Sequence, residues 1–228
     1  MTQLRTWSVK EAIAHLDEPF SMINVDVVGD IAVSVYRCEG QLDWHEHRTN
    51  DELFWVVDGI MRMETEQGEA YLRPNEVTVV PKAVAHRSGS EVEAYVILLR
   101  SVISANRRNG RHHIFVTEPE AGVPTVDLKE RADEIDEPFT FRSVGLVEDS
   151  VLQVAWGEGT WPVDVPAPCD IFFYVLEGGG TIEASGHMVR LDPGEAVVVP
   201  RGSLYRLSTE RDTRLVRVGW EDVMGGAT

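Results

Sequence analysis

Residues 74–81 read Pro74-Asn75-Glu76-Val77-Thr78-Val79-Val80-Pro81, and residues 193–200 read Pro193-Gly194-Glu195-Ala196-Val197-Val198-Val199-Pro200. Outward from this pair, a single offset of 119 residues aligns two long stretches of the chain without a gap. Lys10-Glu11 returns as Lys129-Glu130, Asp17-Glu18-Pro19-Phe20 as Asp136-Glu137-Pro138-Phe139, Glu39-Gly40 as Glu158-Gly159, and Gly59 as Gly178. Across residues 9–100 the copies share 25 of 92 positions, far more than unrelated sequences match in one fixed register. The repeat exceeds the roughly 20–50 residues of a solenoid unit, so each copy is expected to be a small domain with its own core. The expected division is residues 1–105 and 106–228, with a linker over about 101–124.

Each copy opens on a helix-start signal, Ser8-Val9-Lys10-Glu11 and Asp127-Leu128-Lys129-Glu130, in which a capping residue is followed three later by Glu. One short helix at the start of each copy is expected. Beyond it, Ile31–Tyr36, Leu53–Val57, Met61–Glu64, Val77–Val80 and Tyr95–Leu99 are rich in β-branched and aromatic residues. Turn pairs such as Asp58-Gly59, Gln67-Gly68 and Ser88-Gly89 separate them, and Gly178–Gly180 and Ser185-Gly186 do so in the second copy. Many short strands with regular turns predict an all-β chain, an antiparallel sandwich or barrel. Ile114-Phe115-Val116 in the linker fits an extra strand, and Pro162, Pro166 and Pro168 predict an edge or irregular segment.

Composition limits the function classes. Hydrophobic residues make up 43% of the 228, enough for a sizeable core. The formal charge of −17 repels a phosphate backbone, which excludes nucleic acid as a partner. Apolar runs such as Ile171–Leu176 stop far short of the ~20 residues that span a bilayer, so no membrane helix is expected. The opening residues lack the apolar stretch of a secretory signal, and Cys38 and Cys169 are too few for a disulfide framework, so a cytoplasmic protein is expected.

The chemistry lies in Trp44-His45-Glu46-His47, then Glu52, with His86 beyond Pro81. Side chains two apart in a strand project to one face, so His45 and His47 can lean onto one ion while Glu46 points away. Arg48–Asp51 has turn composition, so Glu52 can open the next strand and return its carboxylate to the same pocket. Glu52, Phe54 and Val56 would then share a face, with Met61 and Met63 nearby as further pocket residues. His86 can complete the set if the strand ending at Pro81 neighbours the first. His112 and His113 are adjacent and face opposite ways in a strand, so they are poor joint ligands, and His15 and His187 read as surface residues.

The spacing Gly40-(4)-His45-Glu46-His47-(4)-Glu52-(6)-Gly59 resembles the first cupin motif, and Asn75-(5)-Pro81-Lys82-Ala83-(2)-His86 resembles the second. The resemblance implies two tandem jelly-roll barrels in one chain, a bicupin, with His45, His47, Glu52 and His86 as ligands of one divalent metal ion. Asn75 and Ala83 stand where the second motif has glycines, and Ser90 stands at its closing Asn; none is a ligand. In the second copy Asp164, Pro166, Ile171 and Tyr205 replace the four ligands. That copy therefore reads as a scaffold, with Tyr205, Ile171, Phe173 and Val175 marking where an organic ligand would lie.

Three neutral imidazoles and one carboxylate leave open positions on the ion. The set suits Fe(II), Mn, Ni, Cu and Zn alike, and the oxygenase reading that follows favours Fe(II). A redox metal would give a dioxygenase with Glu52 as a catalytic residue, which is the favoured reading. A Lewis acid would give an isomerase, epimerase or lyase, and a third alternative is a non-catalytic binding or accessory barrel. A small, partly apolar organic substrate and a homodimer complete the expectations.

Overall fold

The computed structural model describes residues 4–102, 107–109, 123–161 and 165–220. The first run of elements is β1 (Arg5–Ser8), α1 (Val9–Ile13), β2 (Met22–Val28), β3 (Ile31–Gln41), β4 (His45–His47), β5 (Glu52–Asp58), β6 (Met61–Thr65), β7 (Gly68–Leu72), β8 (Glu76–Val80), β9 (His86–Ser101), β10 (Arg107–Asn109) and β11 (Val126–Asp127). The second is α2 (Leu128–Asp133), β12 (Arg142–Val147), β13 (Ser150–Thr160), β14 (Val165–Pro166), β15 (Ile171–Glu177), β16 (Gly180–Ala184), β17 (His187–Leu191), β18 (Glu195–Val199) and β19 (Leu204–Trp220). The starts of β3 and β13, β5 and β15, β6 and β16, β7 and β17, and β8 and β18 are each 119 residues apart. All five strand segments expected in the first copy lie within observed strands. No helix among the described residues is long and apolar enough to cross a membrane.

These residues form two compact units, one spanning Ala12–Asp127 and the other combining the chain's first eleven residues with the stretch from Leu128 onward. In the Ala12–Asp127 unit an antiparallel sheet runs β10-β4-β9-β5-β8-β11; β3 also pairs with β9 and carries β2, and the β6–β7 hairpin joins β9. The other unit has an antiparallel sheet in the order β1-β18-β15-β19-β13-β12, with the β16–β17 hairpin and β14 on β19.

The division departs from the expected boundary at residue 105. Arg5 pairs with Val198 through to Ser8 with Glu195, so β1 completes the sheet at β18, while Val126 and Asp127 of β11 pair with Val77 and Glu76 of β8. A strand edge presents unpaired N–H and C=O groups, and each unit covers one such edge with a distant strand. Trp7 fastens β1 by stacking on Phe172, ring centroids 6.0 Å apart, and Val9 N–H donates to Gly194 O at 2.9 Å. The linker is also more than a linker, because β10 adds a strand beside β4. Ile114-Phe115-Val116 lies outside the described residues.

Ser8 caps α1, its hydroxyl accepting the Glu11 N–H at 3.1 Å. Gly59 ends β5 at φ +76°, and a Cβ there would come within 2.6 Å of Glu93 O, so both conformation and backbone approach require glycine. Inward residues of the Ala12–Asp127 unit form one apolar cluster that includes Tyr36, Cys38, Phe54, Val56, Met61, Met63, Val96 and Leu98. Fully burying one such large side chain stabilises by about 1.5–3 kcal/mol. This cluster forms the floor beneath the site described next.

Candidate metal centre

β4 puts His45 and His47 on one face, and its pairing with β9 sets His45 directly opposite His86. Glu52 opens β5, between Val80 of β8 and Arg100 of β9. The pleat thus gathers donors from three strands. One ligand atom from each of His45, His47, Glu52 and His86 lies within 4.8 Å of all the others, and all four residues are buried. His86 Nε2 is 3.1 Å and His47 Nε2 3.3 Å from Glu52 Oε2. This is the one such cluster among the described residues.

Neighbouring backbone fixes the rings. His45 Nδ1 lies 2.9 Å from Asp43 O and His86 Nδ1 3.0 Å from Val84 O. A carbonyl only accepts, so each Nδ1 carries the hydrogen and each Nε2 turns to the centre, the arrangement in which a metal-bound histidine is oriented by its second nitrogen. His86 then faces an acceptor at both nitrogens, yet a neutral imidazole has one N–H. Without a metal, a protonated His86 donates to both; with one, a cation between Nε2 and Glu52 replaces that proton, and the donor set suits a divalent metal ion. Burial pushes the Glu52 carboxyl up, but the hydrogen bond from His86 and the charges of His47, His86 and Arg100 outweigh it and hold Glu52 below its ordinary value.

Two backbone contacts tie the second motif to the first. Ala83 N–H donates to His47 O at 2.7 Å and Lys82 N–H to Asp51 Oδ1 at 2.8 Å. Ala83 sits at φ 63° and Asn75 at φ 72°, the left-handed conformation that the glycines of the resembled motif adopt without strain.

The centre opens onto a cavity of about 110 Å³ lined by Phe20, Met22, Tyr36, Leu42, Phe54, Ser88, Leu98 and Arg100 besides His45, His47 and Glu52. Of the expected pocket residues, Phe54 lines it; Val56, Met61 and Met63 are fully buried in the apolar cluster. Met61 still reaches the wall indirectly, its sulfur accepting the Tyr36 hydroxyl at 3.2 Å. Burial pushes the Tyr36 phenol well up and the Cys38 thiol to about 12, so both stay protonated at neutral pH. Sequence reasoning missed Arg100. The available signal was the alternation Val96, Leu98, Arg100, whose last inward position turns from apolar to cationic.

At the matching positions of the other unit, Ile171 and Tyr205 are buried in its apolar cluster. Tyr205 packs against Phe173 and Trp161, ring centroids 5.9 and 6.1 Å away, and burial pushes its phenol up to about 12. Arg217 lies over the Phe141 ring at 3.7 Å and donates to Gln153 Oε1 at 2.7 Å. Pro166 stands in the two-residue β14, paired with β19. Pro162, Asp164, His112 and His113 lie outside the described residues. His15 is exposed in the turn after α1 and His187 is exposed at the start of β17.

No family model matches the chain. The uncharacterized protein YdbB of Bacillus subtilis is 34% identical over 83 residues, which are 36% of this chain and 74% of YdbB. This chain belongs to the family of YdbB. Among solved structures, a cupin 2 conserved barrel domain protein from Leptotrichia buccalis matches with TM-score 0.72 at 11% identity, over 95% of this chain and 96% of its own. The salicylate 1,2-dioxygenase of Pseudaminobacter salicylatoxidans matches with TM-score 0.74 at 12% identity, over 97% of this chain and 85% of its own. A variant of that enzyme in complex with gentisate gives 0.76, covering 97% and 83%. At such identities the likeness establishes the fold, a mostly β cupin-barrel architecture.

Proposed function

We propose that this member of the YdbB family is a metal-dependent oxygenase of the dioxygenase type, acting on a small organic substrate through Fe(II) held by His45, His47, Glu52 and His86. One observation carries the reading: four buried donors converge at the floor of a small, mostly apolar cavity. The fold shared with salicylate 1,2-dioxygenase supports it. A bound divalent ion supplies a Lewis-acidic centre, redox-active if iron, with positions left over for substrate and oxygen. The chain's part is to hold and enclose. Val84 O and Asp43 O orient the imidazoles, Glu52 supplies the negative charge, and Phe20, Met22, Leu42, Phe54 and Leu98 exclude bulk water.

The two copies are read as descendants of one barrel, with the metal kept in the first and the second serving as scaffold in a cytoplasmic, homodimeric protein. The deciding experiment loads metal-free protein with Fe(II) anaerobically and then follows oxygen uptake against a panel of small organic acids. Substrate-dependent uptake that Zn(II) does not support is the expected result. Turnover that proceeds equally without oxygen would replace the oxygenase by an isomerase or lyase.

A further inference from the structure

We propose that Arg100 is the residue that determines substrate specificity, receiving the carboxylate of a small monocarboxylic acid whose apolar body fills the cavity beside the metal centre. The inference rests on the metal reading above and adds the substrate class.

Arg100 carries the one guanidinium or ammonium group lining the cavity among the described residues. It is placed there by register: Glu52 and Arg100 are cross-strand partners, and Leu98, two residues earlier on the same face of β9, lines the same wall. Its Nη1 makes a long ion pair with Glu52 Oε1 at 3.7 Å, beyond hydrogen-bond range, and Nη2 donates weakly to Met22 Sδ at 3.7 Å. A planar fork of N–H donors is therefore held at the wall without a short bond to the metal ligand beside it. At 28% exposure its side chain is open to an incoming molecule, whereas that of Glu52 is 4% exposed.

Charge and size point the same way. A divalent ion bound by neutral imidazoles and one carboxylate keeps a net positive charge, and Arg100 adds another within walls of low polarizability. Such a pocket favours an anion, although the chain as a whole carries −17. The remaining walls are the apolar Phe20, Met22, Leu42, Phe54 and Leu98 with the neutral hydroxyls of Tyr36 and Ser88, so apart from the metal itself Arg100 is the one group that meets an anion. The cavity is open on one side, and its roughly 110 Å³ is less than the roughly 150 Å³ that encloses benzene, so a short branched chain is enclosed, a single ring enters with one edge left in the mouth, and a larger body stays outside. A bidentate Arg–carboxylate contact would then fix orientation as well as charge.

The test titrates Zn(II)-loaded protein with benzoate and with its neutral isostere benzamide by calorimetry, in the wild type, Arg100→Gln and Arg100→Lys, with metal content measured on each. Wild type should bind benzoate more tightly than benzamide. Arg100→Gln should weaken benzoate by about tenfold or more and leave benzamide unchanged, with metal still bound. Arg100→Lys should recover part of the loss. Equal benzoate affinity in wild type and Arg100→Gln, benzamide binding as tight as benzoate, or no benzoate binding by wild type would each overturn the assignment. Loss of metal in both variants would overturn it too, by making Arg100 a support for Glu52. A wild-type chain that takes up no metal sinks the oxygenase alone; benzoate binding that still depends on Arg100 would then uphold the carboxylate site, and its absence would overturn both.

Discussion

His86 Nε2 stands 3.1 Å from Glu52 Oε2, although the two residues are 34 apart in sequence. The contact joins the start of β9 to the start of β5 and ties the second motif to the first at the place where a metal ion would sit. Purified protein should therefore carry one divalent ion per chain. His47→Ala, which removes one imidazole while leaving this contact, should cost more metal affinity than the roughly 10–100-fold lost when only a hydrogen-bond partner of a ligand is removed, with little change in circular dichroism. Equal metal content in wild type and variant, by elemental analysis, would refute the ligand set.

Acid should act on the metal-free protein through Glu52. Its folded-state value lies below the ordinary 4.5, so the unfolded chain binds the proton more readily. The stability from this carboxylate is whole above 4.5 and is lost as pH falls through the depressed value. Denaturant midpoints measured from pH 6 downward should drop below that range, and Glu52→Gln should flatten this part of the curve. An identical acid limb in the variant would show that Glu52 is not its source.

Ala83→Gly tests the strain in the second motif. The position has φ 63°, and left-handed geometry costs a non-glycine residue about 1–2 kcal/mol, offset in part by the extra freedom glycine gives the unfolded chain. The net expectation is a stabilisation of about 0.5–1 kcal/mol, seen as a higher melting temperature with unchanged metal content. A lower melting temperature would mean that the Ala83 methyl packs better than its backbone strain costs.

If the unit containing Tyr205 is scaffold alone, Tyr205→Phe should leave oxygen uptake and metal content within about twofold of wild type. Glu52→Ala should abolish both. A Tyr205→Phe protein that binds metal, folds and yet turns nothing over would place substrate or chemistry in that unit.

The four converging donors were legible in part from short-range geometry, since His45 and His47 share a face by the two-residue pleat and Glu52 opens the strand after a turn; His86 came only from the motif spacing, because its meeting with His45 depends on β9 lying beside β4. The strands were legible through β-branched runs between turn residues. The cavity wall was not. Phe20, Met22 and Leu42 belong to a turn, a half-exposed strand and a loop, where no periodicity announces which way a side chain faces. Met61 and Met63 alternate correctly but lie deeper in the apolar cluster than the cavity. The unit boundary escaped for a related reason. The pairing of β1 with β18 depends on an edge formed nearly a whole chain length later, and no local pattern encodes it.

That pairing also bears on the order in which the chain can be completed during synthesis. Every strand described in the Ala12–Asp127 unit has been made once Asp127 emerges, including the one that closes β8. The other sheet needs Arg5–Ser8, made some 190 residues earlier, and cannot seat them until Glu195–Val198 exist. At roughly 5–20 residues per second, the interval is on the order of ten seconds or more. Trp7 spends most of it without Phe172, and a segment made before the whole of its own sheet is among the last to find its place.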